Sequence, residues 1–410
     1  MNEAAASKAR CLDVTRLISR LGRGPLTGVD RVELAYLRHL AHHPDPFFVL
    51  VKTVAGYVVL GQDGAQNILD RIEGRVPWGG SDLIGRLSRK AHPLKRRAEA
   101  DLRRFCLARS WRGGLAAMLQ KTVPNGCAYL NVGHSNLSQQ VLSAWRTVPG
   151  ANISVLIHDM IPLDFPQFQR AGSVERFEAK MQIVAQHADL VICISEDTQR
   201  RVRHWFDVWG AQVETIVAHN GVDVPTADET ALPAHLHLTH PYFVTVGTIE
   251  PRKNHALLLD VWDELQSMDK PPTLVIAGGR GWNNDAVFRR LDAKPANIIE
   301  ASGLSDGALG ALIAGSNGLL FPTFAEGFGL PPMEALALGV PVICSDLPVL
   351  RELLGNNPIY AESDDMYGWK QSILQLAEAS GVRQARKAGE GTTFHGPTWD
   401  EHFNHVLRLT

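Results

Sequence analysis

Residues 321–345 read FPTFAEGFGLPPMEALALGVPVICS, and the rest of the chain can be organised around them. The preceding GSNGLLF (315–321) closes on a short apolar run that reads as a buried strand, and residues 335–339 have helical composition with a glycine stop. A ligand loop is expected between them. Pro331 and Pro332 suit the first helical position, where a missing N–H costs nothing, so the helix is expected to begin there with Glu334 in its first turn. Such a helix end attracts phosphate, and Gly327 and Gly329 would let backbone amides approach a ligand with no side chain in the way. A carboxylate accepts two hydroxyl hydrogen bonds at once, so Glu326 on the loop and Glu334 on the helix suit a sugar nucleotide. Glu326 would hold sugar hydroxyls and Glu334 the ribose, with Gly327, Phe328, Gly329 and Leu330 forming the donor-facing turn. Either glutamate alone could equally be a cap beside a tight turn.

Two glutamates separated by seven residues around a GFG turn resemble the signature of the retaining glycosyltransferases of glycosyltransferase family 4. The resemblance implies an α/β chain of GT-B type, two Rossmann-like domains facing a cleft, with Glu326 on the donor sugar and Glu334 on the ribose. It also implies a diphosphate-binding lysine at Lys253, six residues after Gly247. The arginine that usually follows that glycine is Thr248 here, and Arg252 is the candidate to replace its charge. His158, in HDMIPLDFP, resembles a histidine that contacts the transferred sugar. A lone histidine is otherwise more often structural. Gly28 resembles a cleft-facing glycine near donor phosphate or acceptor, although Asp30 reads as an ordinary helix cap. Ser302, in the turn Ala301–Ser302–Gly303, falls where the nucleotide base would be held by main-chain groups.

The chain has 410 residues, more than one core usually supports, so two domains of about 200 residues are expected. Strand and helix patterns place one domain at 1–220, a loop-like linker at 221–241, a nucleotide-sugar domain at 242–395, and a last helical segment at 396–410 that by resemblance crosses back. The net charge of −2 argues against nucleic acid as a partner. Five dispersed cysteines form no CxxC pair, which suggests neither a disulfide framework nor a zinc site. No signal-peptide core and no run of about 18 apolar residues is present, so a cytoplasmic protein, soluble or peripheral on the inner face of the plasma membrane, is expected. Residues 86–112 depart from the average: ten Lys or Arg stand against Glu99 and Asp101, with leucines, Phe105 and Trp111 between them. That stretch reads either as a contact for an anionic membrane or acceptor, or as a solvated helical face.

The function expected is metal-independent, retaining transfer of a hexose from a nucleotide diphosphate sugar to a glycan or lipid-linked acceptor in polysaccharide biosynthesis, with no cofactor. No Asp-x-Asp motif occurs, and a cation with a helix N-terminus can stabilise a leaving diphosphate. HDMIPLDFP and GTIEPRKN resemble mannosyltransferases of bacterial surface polysaccharide assembly, with GDP-mannose as donor. A disaccharide phosphorylase of the same fold and a non-catalytic sugar-nucleotide-binding subunit are the alternatives.

Overall fold

The computed structural model describes residues 9–87, 91–234, 236, 238, 241–379 and 394–410. Eight strands form the first sheet: β1 (Arg10–Asp13), β2 (Phe47–Thr53), β3 (Gly56–Leu60), β4 (Ala108–Ser110), β5 (Ala128–Asn131), β6 (Asn152–Ile157), β7 (Leu190–Cys193) and β8 (Glu214–Val217). Their order is β4-β3-β2-β1-β5-β6-β7-β8, parallel throughout except for β3, which runs against both its neighbours. The second sheet comprises β9 (Tyr242–Val246), β10 (Thr273–Ala277), β11 (Ile298–Ala301), β12 (Gly318–Phe321), β13 (Val342–Ser345) and β14 (Ile359–Ala361). It is wholly parallel, in the order β11-β10-β9-β12-β13-β14. Helices cover the sheets, so the central strands β1, β5, β7, β10 and β12 are buried along their whole length. This explains why β5, β7, β10 and β12 read as mainly apolar runs and not as alternating ones.

Strand order reverses between β1 and β5 in the first sheet and between β9 and β12 in the second. In open parallel sheets the crevice beyond the carboxyl ends of such a strand pair receives ligands. In the second domain these ends carry the Gly247–Lys253 turn and the Phe321–Leu330 loop. The two are stitched together: Thr323 Oγ1 and the Phe324 amide both donate to the Arg252 carbonyl, at 3.1 and 2.9 Å.

The last helix, Trp399–Val406, packs on the first domain. His402 bonds to the Tyr36 hydroxyl at 2.7 Å, and Arg10 Nη2 donates to the carbonyls of Leu407 and Thr410, each at 2.8 Å. The antiparallel β3 and β4 were not foreseen from sequence. β4 has only three residues, ARS, inside the arginine-rich stretch, where charge conceals its pairing with β3.

One close approach in the second domain fixes a residue type. A Cβ on Gly278 would stand 1.8 Å from the Gly247 carbonyl oxygen. Gly278→Ala is therefore expected to destabilise the domain by about 1–3 kcal/mol, the scale of a forced backbone shift. Urea unfolding checks this, and an unchanged midpoint would contradict the packing.

Candidate active site

A cleft of about 700 Å³ lies between the two sheets and takes residues from both. From the second domain it is lined by Gly247, Lys253, Ala301, Gly303, Glu326, Gly327, Phe328, Gly329, Leu330 and Glu334, and from the first by Arg20, Arg23, Gly28, Arg31, His158 and Asp159.

Glu326 is the centre of a charge cluster. Its Oε2 accepts from Lys253 Nζ and, at 3.1 Å, from Arg252 Nη1. Arg252 also donates to the Ala325 carbonyl at 2.7 Å and pairs with Glu250. Burial would raise the Glu326 carboxyl, but Lys253 and Arg252 outweigh burial and hold it at about 2. Burial also lowers the Lys253 ammonium, with Glu326 opposing. The two partners thus move the same way because two cations share one carboxylate, and each cation is repelled by the other. Lys253 makes one hydrogen bond among the described residues, to Glu326, and its ammonium lies 4.4 Å from the centre of the Phe321 ring, so two of its three N–H donors have no hydrogen-bond acceptor there.

Arg252 differs from the expectation. It points toward Glu326, not into the space beside Thr248, and it is absent from the cleft lining. The cations that do face the cleft beside Lys253 include Arg20, which ends the Thr15–Arg20 helix, and Arg23, on the loop before Gly28. No sequence signal marked them, because their position depends on how the domains meet.

The helix after the loop runs Leu330–Ala337, with Gly329 as its N-cap in the left-handed region (φ 95°). It begins one residue earlier than expected, which puts Glu334 beyond the first turn. Its two prolines also remove two of the early N–H groups, so the end offers chiefly the Gly329 and Leu330 amides and its dipole. Gly327 owes its identity to something other than a ligand. A Cβ there would lie 2.3 Å from the His158 carbonyl oxygen, and the Gly327 carbonyl accepts from Ser195 Oγ at 3.1 Å. The GFG turn is thus a seam between the domains.

Glu334 is buried and paired across the cleft. Arg31, on the Gly28–Ala41 helix of the first domain, donates to Glu334 at 2.8 Å and to Asp306 at 2.6 Å. Burial pushes the Glu334 carboxyl up, with Arg31 opposing. Arg31 was missed in the sequence because neither acid is near it in the chain. Gly28 opens that helix and lies against Leu330. Asp30 does cap, accepting from the Thr27 amide and hydroxyl at 2.7 Å each, and Arg16 pairs with it.

His158 Nε2 bonds to the Val132 carbonyl at 2.7 Å, and burial holds the ring at about 4, hence neutral near pH 7. Since Nε2 must donate to a carbonyl, Nδ1 carries the lone pair and can accept from a hydroxyl. Asp159 beside it is pushed to about 6 by burial, with Arg252 opposing. Ser302 is exposed and outside the cleft lining; its neighbours Ala301 and Gly303 line it instead. No His, Cys, Asp or Glu group with metal-holding geometry occurs among the described residues.

Residues 229–391 match the family described as glycosyl transferases group 1. That match takes in the second domain. It is 33% identical to the serotype-specific mannosyltransferase WbdA of Escherichia coli over 229 residues, which are 52% of this chain and 28% of that protein. It is 27% identical to the O-antigen chain mannosyltransferase B of Escherichia coli over 247 residues, 56% of this chain and 65% of the relative. The chain thus spans little more than a quarter of WbdA. Among solved structures, Anabaena HepE in complex with UDP and glucose superposes with a TM-score of 0.60 at 14% identity, over 98% of this chain and 99% of that one. TarM superposes with a TM-score of 0.53 at 16% identity, over 76% of this chain and 60% of that one. The fold is GT-B.

Glu326 is depressed in the folded state, so it contributes stability above its ordinary value of 4.5 that is lost as pH falls toward about 2. Glu326→Gln is expected to remove that part of the acid sensitivity, read as melting temperature against pH. In the Lys253→Ala variant the Glu326 carboxyl is expected to titrate above about 2, because burial then faces one cation, not two. Carbon NMR of labelled glutamate checks this, and an unmoved titration would contradict the pairing.

Proposed function

We propose that the chain transfers a hexose, mannose, from a nucleotide diphosphate donor to a glycan or lipid-linked acceptor in polysaccharide biosynthesis, with the anomeric configuration kept. The observation that carries this reading is Lys253, with two N–H donors to spare, held by Glu326 at the switch point of the second sheet beside the Gly329 helix end. A leaving diphosphate needs just such pre-placed donors where its charge develops. The relatives named mannosyltransferases support the sugar and the setting, and GDP-mannose is the donor we assign.

In this reading the base lies against Ala301 and Gly303, and the ribose hydroxyls bond to Glu334, displacing or sharing Arg31. The diphosphate meets Lys253 and the Gly329 and Leu330 amides, with Arg20 and Arg23 facing it from the first domain. Glu326 and His158 Nδ1 accept sugar hydroxyls. The bond from C1 to the phosphate oxygen breaks with its electrons going to the diphosphate, and the acceptor oxygen bonds to C1 on the same face. Retention places that hydroxyl beside the departing phosphate oxygen, which is then the nearest base for its proton. The acceptor enters from the first domain, and the chain works as a peripheral protein on the cytoplasmic face of a membrane.

A melting-temperature screen over UDP, GDP, ADP and their sugars tests the donor, because a ligand of the native state raises the midpoint by linkage. GDP and GDP-mannose are expected to raise it most, and no shift with any nucleotide would contradict the reading. Lys253→Ala is expected to lower the transfer rate by roughly 10²-fold, whereas Glu334→Ala is expected to weaken nucleotide affinity first. An inverted product by NMR, or turnover of a disaccharide with inorganic phosphate and no nucleotide, would overturn the assignment.

A further inference from the structure

Residues 86–112 do not present one cationic helical face. On the Pro93–Phe105 helix, Arg97 donates to the carbonyls of Trp78 and Gly79, Arg104 pairs with Asp101, and Arg103 pairs with Asp82. These arginines hold the fold together. Residues 88–90, with two of the expected cations, lie outside the described residues. Its exposed residues include Arg86, Leu87, Arg97, Arg104, Leu107, Arg109, Trp111 and Arg112, with Leu83 just before it; Leu87 is 83% and Trp111 76% accessible.

Two of these, Arg109 and Trp111, line a second cavity, of about 230 Å³. It is also lined by Thr53, Ala55, Tyr57, Val58, Ile84, Arg103 and Ser110, so among the described residues its charged side chains are two arginines. Tyr57 and Ser110 are direct partners across the β3–β4 ladder and share one face. The Tyr57 hydroxyl, the Ser110 hydroxyl and Arg103 Nη1 are all buried, and none has a hydrogen-bond partner among the described residues. The Arg103 side chain is 4% exposed, and Tyr57 is 1% exposed. Asp82 grips the guanidinium through Nε and Nη2, at 2.7 and 2.8 Å, which fixes its plane. Nη1 is left with Glu99 Oε2 at 3.8 Å, beyond hydrogen-bond reach. Two hydroxyls and one Arg103 N–H group without acceptors among the described residues, buried with the Arg109 side chain beside them, suit an anion, since leaving such groups unpaired costs each its desolvation.

Resting on the peripheral-membrane reading above, we propose that this pocket receives the phosphate of an anionic phospholipid headgroup while Leu83, Leu87 and Trp111 sit in the bilayer interface beside it. Exposed leucines and a tryptophan next to cations have this use at a lipid surface, where an aromatic ring with one polar end is favoured. The topology fits the reaction. β2 and β4 run parallel to β1, so the pocket at their carboxyl ends opens at the same end of the sheet as the cleft. A membrane bound there lies on the side from which a lipid-linked acceptor enters.

Flotation with phosphatidylcholine vesicles, with and without phosphatidylglycerol, tests this in the full chain. Wild type is expected to float with the phosphatidylglycerol vesicles and weakly with phosphatidylcholine alone. The double variant Tyr57→Phe/Arg109→Gln is expected to lose at least about fivefold in partitioning, the weight of one basic residue at such a surface. Leu87→Ser/Trp111→Ser is expected to remove the salt-resistant part of binding. Each variant must keep the wild-type melting temperature and its rise with nucleotide, which separates a lost lipid site from a misfolded chain. Equal flotation of wild type and the Tyr57/Arg109 variant, equal binding to both vesicle types, or none to either, would overturn the proposal. Inorganic phosphate that stabilises the wild type without vesicle binding would assign the pocket to free phosphate and overturn it too. Failure of every nucleotide to stabilise the protein would remove the transfer reading while leaving the flotation result standing.

Discussion

Everything in the cleft depends on one buried interaction, the carboxylate of Glu326 shared by Lys253 and Arg252. A charged cluster out of water is weak evidence for stability, because desolvation of each ion can exceed the attraction between them. Its presence at the switch point is better explained by work than by folding. Glu326 fixes a lysine that would otherwise sample many rotamers, and it does so while leaving two of that lysine's protons unassigned. Arg252 completes the arrangement from behind by keeping Glu326 ionised and aimed at Lys253. The loops that carry these groups are tied through the Arg252 carbonyl, so their positions depend on backbone as much as on charge.

The second constraint is the contact between domains. Gly327 meets the His158 carbonyl, Ser195 meets the Gly327 carbonyl, and Arg31 reaches two acids of the opposite domain. Glu352 adds a further link by accepting from the Glu196 and Asp197 amides at 2.7 and 3.2 Å, and so caps the Glu196–Val208 helix from the other domain. These contacts join both halves of the site along one seam. In the proposed function a ribose would compete with the Arg31 contact, since Arg31 and the ribose would address the same Glu334 carboxylate.

The buried strands β5, β7, β10 and β12 were legible in the sequence because both their faces are buried and they read as mainly apolar runs, whereas β14, a partly exposed edge strand of three residues, was not. Glu326, Glu334 and Lys253 were legible because their neighbours, two glycine turns and a proline pair, allow few local structures. Arg31, Arg23 and Asp159 were not, since each gains its meaning from residues of another element or of the opposite domain. Arg252 was legible as a residue but not in direction, because adjacent side chains in a turn can point apart and only the fold decides. The arginine-rich stretch was misleading for a related reason: its charges have partners 18 to 24 residues away, which no local pattern reveals.

The measurement that bears most directly on the account is a double-mutant cycle in affinity, with ligand and protein as its two axes. Binding of the preferred nucleoside diphosphate and of its monophosphate is measured by calorimetry in wild type and in Lys253→Ala. If Lys253 meets the terminal phosphate, the variant loses about 1.5–3 kcal/mol more with the diphosphate than with the monophosphate, the scale of a hydrogen bond to a charged group. Equal losses for the two ligands would contradict the placement of the diphosphate on Lys253 and with it the central claim.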